Sequence, residues 1–115
     1  MNSVLMRAYI APPDVDRFGL LMNQRRKLAK ITSEIFGGCT ITDGYGAWKD
    51  PDTGEMVMED MFVVEVSFPK EYIFQDEKRD QWFAALNNLG LEWKQKSILY
   101  VTQEAQGNFW EVTDD

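Results

Sequence analysis

The chain has 115 residues, a formal charge of −7, 44% hydrophobic and 13% aromatic residues, one cysteine and no histidine. That is one domain's worth of chain, too apolar to stay disordered and too acidic to offer the clustered basic face that nucleic-acid phosphates require. Without histidine, imidazole bases, Ser-His-Asp triads and histidine metal sites are excluded, and Cys39 alone builds neither an intrachain disulfide nor a zinc site.

Val4 to Ile10 is a short apolar run ended by Ala11-Pro12-Pro13, which reads as a strand. Asp14 or Asp16 then caps a helix in which Phe18, Leu21, Leu28, Ile31 and Ile35 recur at helical spacing until Gly37-Gly38. On that helix, Arg25-Arg26-Lys27 with Lys30 forms a basic cluster whose ordinary reading is a solvated face. Cys39 to Trp48 is a second strand, turned at Asp50-Pro51-Asp52-Thr53-Gly54, and Glu55 to Phe68 a third with Phe62, Val64, Val66 and Phe68 on one face. Asp76 opens a second helix carrying Trp82, Phe83, Leu86 and Leu89, with Gly90 as its stop. Ser97 to Gln103 is a fourth strand, and Ala105-Gln106-Gly107 turns it into a short fifth from Phe109 to Val112.

The order β-α-β-β-α-β predicts a single α+β domain over residues 1–115, a ferredoxin-like sandwich with both helices on one face of an antiparallel sheet. The other face then carries Leu5, Tyr9, Met61, Val63 and Tyr100 mixed with Arg7, Glu65 and Ser67, a half-apolar surface suited to a subunit interface. No apolar run is long enough to span a bilayer, and no charged-then-apolar leader opens the chain, so neither a membrane partner nor export is expected. A lone cysteine is compatible with the cytosol.

The chemistry concentrates on the hairpin. Gly44 and Gly46 permit a bulge or a close backbone approach to a ligand. Tyr45 and Trp48 offer ring faces for stacking or for a cation, and Glu59 can accept hydrogen bonds from an ammonium or from ribose hydroxyls. The same residues have plainer readings, with Trp48 in the core and Glu59 at a solvated strand end. Gly44-Tyr45-Gly46 lacks the lysine and spacing of a P-loop, and the glycine of Asp50-x-Asp52-x-Gly54 comes one position early for a calcium loop, which leaves a turn.

The run Thr42-Asp43-x-x-Gly46-x-Trp48-Lys49-Asp50, followed by Glu59 before a valine-rich strand, resembles the corresponding hairpin of the phage-encoded S-adenosylmethionine lyases. Glu92-Trp93-Lys94-Gln95 followed by Ile98-Leu99-Tyr100-Val101 is similar to the segment leading into that family's last core strand. The resemblance implies a PII-like homotrimer with sites between subunits that acts in the host bacterial cytoplasm against restriction. It implies cleavage of S-adenosylmethionine to 5′-methylthioadenosine and homoserine lactone, with no metal and no cofactor. Glu59 matches the family's active-site glutamate, and Trp48 falls where the family has an active-site tyrosine, so Glu59 and Trp48 are the expected catalytic residues. Gly44, Tyr45, Gly46 and Glu59 are the expected substrate contacts. The alternative is a non-catalytic PII-like trimer that binds or sequesters an adenine nucleotide, with Arg25, Arg26 and Lys30 toward its phosphates.

Overall fold

Alternating and helically spaced apolar residues sort the chain into six elements in the computed structural model, which describes residues 2–12, 18–70, 75–95, 97–107 and 112–113. They are β1 (Asn2–Ile10), α1 (Phe18–Phe36), β2 (Thr40–Lys49), β3 (Met56–Pro69), α2 (Gln75–Glu92) and β4 (Leu99–Gln106). The expected cap at Asp14 or Asp16, the side chains of Phe18 and Leu21, and most of the fifth strand expected from Phe109 lie outside the described residues. The strands form one sheet in the order β2-β3-β1-β4, and each neighbouring pair is antiparallel. With both helices packed on it, this is a ferredoxin-like α+β fold.

Period-two alternation decides which face the helices cover. Met6, Ala8 and Ile10 of β1 stand opposite Val66, Val64 and Phe62 of β3, and all six are buried. From the other side, α2 contributes Trp82, Leu86 and Leu89 at spacings of four and three, and Trp93, just past its end, extends the same apolar stripe. Each such side chain taken from water stabilises the fold by about 1.5–3 kcal/mol before entropy is subtracted. The two helices are also pinned to each other, because the buried Trp82 Nε1 donates to Thr32 Oγ1 at 3.0 Å. That bond satisfies a polar group that would otherwise be costly inside an apolar layer.

Two expectations need correction. Tyr100 stands opposite Ala8 in the β1–β4 register and therefore lies on the helix-covered side. There it meets Phe83 edge-on at 4.6 Å, and its hydroxyl donates to Met6 Sδ at 3.1 Å. Nor does Gly90 stop α2, which continues to Glu92. Gly90 instead lets the chain after the helix pass close by, since a Cβ there would lie 3.3 Å from Ile98 Cδ1.

The stop is a Schellman motif, in which Gln95 N donates to Gly90 O at 2.7 Å and Lys94 N to Leu91 O at 3.2 Å. Its left-handed position is held by Lys94, with φ of 58°. A side chain in that conformation costs roughly 1–2 kcal/mol, which glycine avoids. Lys94→Gly is therefore expected to raise stability by about 1 kcal/mol, less what glycine adds to the freedom of the unfolded chain. A higher urea midpoint at unchanged slope would show it.

Candidate functional site: the β2–β3 ribbon

β1 reaches only as far as Phe62 along β3, so the hairpin from Asp43 to Met61 runs on as a two-stranded ribbon. The six residues of β3 beyond that point add about 20 Å at the usual strand rise, in keeping with a molecule measuring 54 × 31 × 22 Å. At the tip, Asp50 N donates to Glu55 O at 2.8 Å, and the Asp50 carboxylate accepts from Asp52 N at 2.8 Å. Asp50-x-Asp52-x-Gly54 is thus the expected turn, closed by an Asx-type hydrogen bond. At the base, Arg25 donates to both carboxylate oxygens of Asp43, at 2.8 and 2.9 Å, while its guanidinium lies 5.5 Å from the centre of the Phe62 ring.

The register divides the expected site residues between two faces. Thr40 to Lys49 pair with Glu65 to Met56 without interruption, so Gly44 and Gly46 form no bulge. Gly46 stands opposite Glu59 and Trp48 opposite Val57, which puts Gly44, Gly46, Trp48, Glu59 and Met61 on the face away from the helices. Tyr45 stands opposite Asp60 on the reverse face and is 67% exposed.

Gly46 is what lets the first group come together. A Cβ at this position would collide with Met61 Cε and lie 3.2 Å from Trp48 Cζ3. The Trp48 ring and the Met61 thioether therefore lie over the glycine backbone beside Glu59. Diagonal neighbours across an antiparallel pair are within reach of an aromatic ring, which makes Trp48 and Glu59 one surface. Trp48 is 43% exposed and so is not a core residue.

Glu59 is half-buried, and its carboxylate makes no hydrogen bond or ion pair with another described residue. Burial pushes its carboxyl above the usual glutamate range, because desolvation disfavours the charged form. An apolar floor with an uncompensated acid on it favours a ligand that brings a positive charge. Among the described residues no cluster of carboxylates and cysteines is arranged to hold a metal ion.

The same helix-free face continues from the ribbon across the sheet through Val63, Glu65, Leu5, Arg7, Tyr9 and Leu99. At its centre Arg7 Nε donates to Glu65 Oε2 at 2.6 Å. The basic cluster of α1 is only partly free: Arg25 is held by Asp43, and Lys27 Nζ lies 2.7 Å from Glu92 Oε2.

No protein-family model matches the chain, and no curated protein matches it at the level of sequence. Among solved structures, it is similar to a phage S-adenosylmethionine lyase in complex with S-methyl-5′-thioadenosine. The TM-score is 0.64 at 12% identity over 95% of this chain and 93% of that one. The apo state of a phage S-adenosylmethionine lyase gives 0.61 at 13% identity, over 96% and 94%. CutA from Synechococcus elongatus gives 0.55 at 10% identity, over 90% and 77%. At such identities the likeness establishes the ferredoxin-like fold. No helix among the described residues is long and apolar enough to cross a membrane.

Proposed function

We propose that this protein is an S-adenosylmethionine lyase, assembled as a homotrimer with sites between subunits. In this reading it is a phage-type protein that works in the host bacterial cytoplasm and depletes the methyl donor used by restriction systems. The observation that carries the reading is the pairing of a desolvated, unpartnered Glu59 with the Trp48 ring on one face of the ribbon. The substrate brings an ammonium for Glu59 and a flat adenosine for the aromatic surface. The likeness of fold to phage lyases over nearly the whole chain supports the same conclusion.

The reaction needs no acid or base from the protein. The substrate carboxylate attacks its own γ-carbon, a C–O bond forms, and the C–S bond breaks with its electron pair passing to sulfur. The products are neutral 5′-methylthioadenosine and homoserine lactone. The protein has to fold the substrate so that carboxylate and γ-carbon meet, and well-oriented intramolecular reactions gain about 7–11 kcal/mol in this way. Gly44 and Gly46 leave room for the Met61 and Trp48 side chains to pack over the ribbon backbone as the floor of the site, and Glu59 grips the ammonium. The Trp48 ring stacks on the adenosine. It must not hold the sulfonium too tightly, since that charge disappears in the transition state.

Calorimetry with S-adenosylmethionine tests the site. Wild type is expected to bind, and Glu59→Gln to bind about tenfold or more weakly, because the amide keeps the shape and loses the charge. An ammonium beside Glu59 lowers the pKa that burial has raised, so binding should release a proton between the bound and free pKa values, a window whose upper edge lies above the ordinary glutamate range. Affinity should accordingly fall as pH drops through that window. Equal affinity of the two proteins, with no proton release, would remove Glu59 from the site. The nucleotide-binding alternative draws less support from the geometry, since Arg25 already holds Asp43 with both oxygens.

A further inference from the structure

Away from the ribbon, the C-terminal half of α2 and the start of β4 leave a cavity of about 340 Å³ between them. Its volume falls within the range of small-molecule sites. Buried Ala8 and Leu86 lie at its base, with Phe83, Ile98 and Tyr100 as apolar walls. Three further lining residues, Asn87, Gln95 and Ser97, are polar and uncharged.

The cavity is built by features already described. Phe83 and Tyr100 hold each other edge-on at 4.6 Å. Gly90 allows Ile98 to come against the helix. Past the Schellman turn, Gln95 Nε2 donates to Trp93 O at 3.1 Å, which leaves Gln95 Oε1 available as an acceptor. Asn87 brings a second carboxamide with both donor and acceptor, and Ser97 a hydroxyl.

We propose that this cavity is a second ligand site, for a small uncharged heteroaromatic molecule whose edge carries a hydrogen-bond donor beside an acceptor. The apolar walls take the ring. A carboxamide is complementary to an adjacent donor and acceptor, as in the bidentate pairing of asparagine or glutamine with a base edge. A charged ligand is disfavoured, because none of the lining residues carries a charge to meet it. Nucleobases and aromatic primary amides share the required edge. The inference is independent of Glu59 and of the lyase reading.

The test is amide chemical-shift mapping on the full, isotopically labelled protein with adenine, nicotinamide and indole. Indole is a ring with a donor and no acceptor. Adenine or nicotinamide should shift Phe83, Asn87, Gly90, Gln95 and Ile98, and the one that binds more tightly identifies the source of the edge. Indole should bind at least fivefold more weakly. Asn87→Leu, an exchange at an exposed helix position, should weaken the better ligand at least fivefold and leave indole unchanged. No shift at millimolar ligand, shifts confined to the ribbon, or equal binding of indole would overturn the proposal.

Discussion

Val63→Glu is expected to dissociate the assembly and abolish S-adenosylmethionine turnover together. Val63 lies at the centre of the helix-free face, opposite Tyr9 on one side and Thr42 on the other. In a subunit interface the new carboxylate would be desolvated, and the neighbouring Glu65 would repel it while its own partner Arg7 remains engaged. An unpaired buried charge costs several kcal/mol, enough to shift a micromolar assembly to monomers. Because the substitution is half-exposed in the monomer, the fold should survive it. Light scattering should show a trimer for wild type and a folded monomer for the variant. A wild-type monomer at micromolar concentration would contradict sites shared between subunits.

The second large effect separates two aromatics that lie three residues apart. Trp48→Ala is expected to lower kcat/KM by about tenfold to a hundredfold, or about 1.4–2.8 kcal/mol of transition-state stabilisation, within the range measured for stacking and cation contacts. Tyr45→Ala should change it by less than about twofold, since Tyr45 points to the reverse face of the ribbon. Both side chains are exposed, so neither change removes core packing. Steady-state kinetics on the two variants reads the difference. A larger loss from Tyr45→Ala would mean that the reverse face binds the substrate.

Much of this architecture was legible in the sequence because local periodicity specified it. The alternation from Phe62 to Phe68 fixed the buried face of β3, and the spacing of Trp82, Leu86 and Leu89 fixed that of α2. Site geometry was legible in part. Residues 45 and 48 differ by an odd number, so strand pleating alone places them on opposite faces, whereas grouping them by residue type does not. Tyr100 required the register between β1 and β4, which is a long-range property. The clamp from Arg25 to Asp43 likewise joins a helix to a strand edge and left no local signal. At the end of α2, the usual association of glycine with helix stops pointed to Gly90, whereas the left-handed position falls at Lys94 and Gly90 lies inside the helix, where it leaves room for Ile98.

In the proposed reaction the protein cleaves a substrate that carries its own nucleophile. Purified protein incubated with S-adenosylmethionine and a chelator should release 5′-methylthioadenosine, with homoserine lactone appearing first and homoserine only as the lactone hydrolyses. Chromatography of a time course reads all three. Release of methylthioadenosine above the spontaneous background, lost in Glu59→Gln, is the predicted result, and background-level product from a protein that still binds the ligand would contradict the lyase reading.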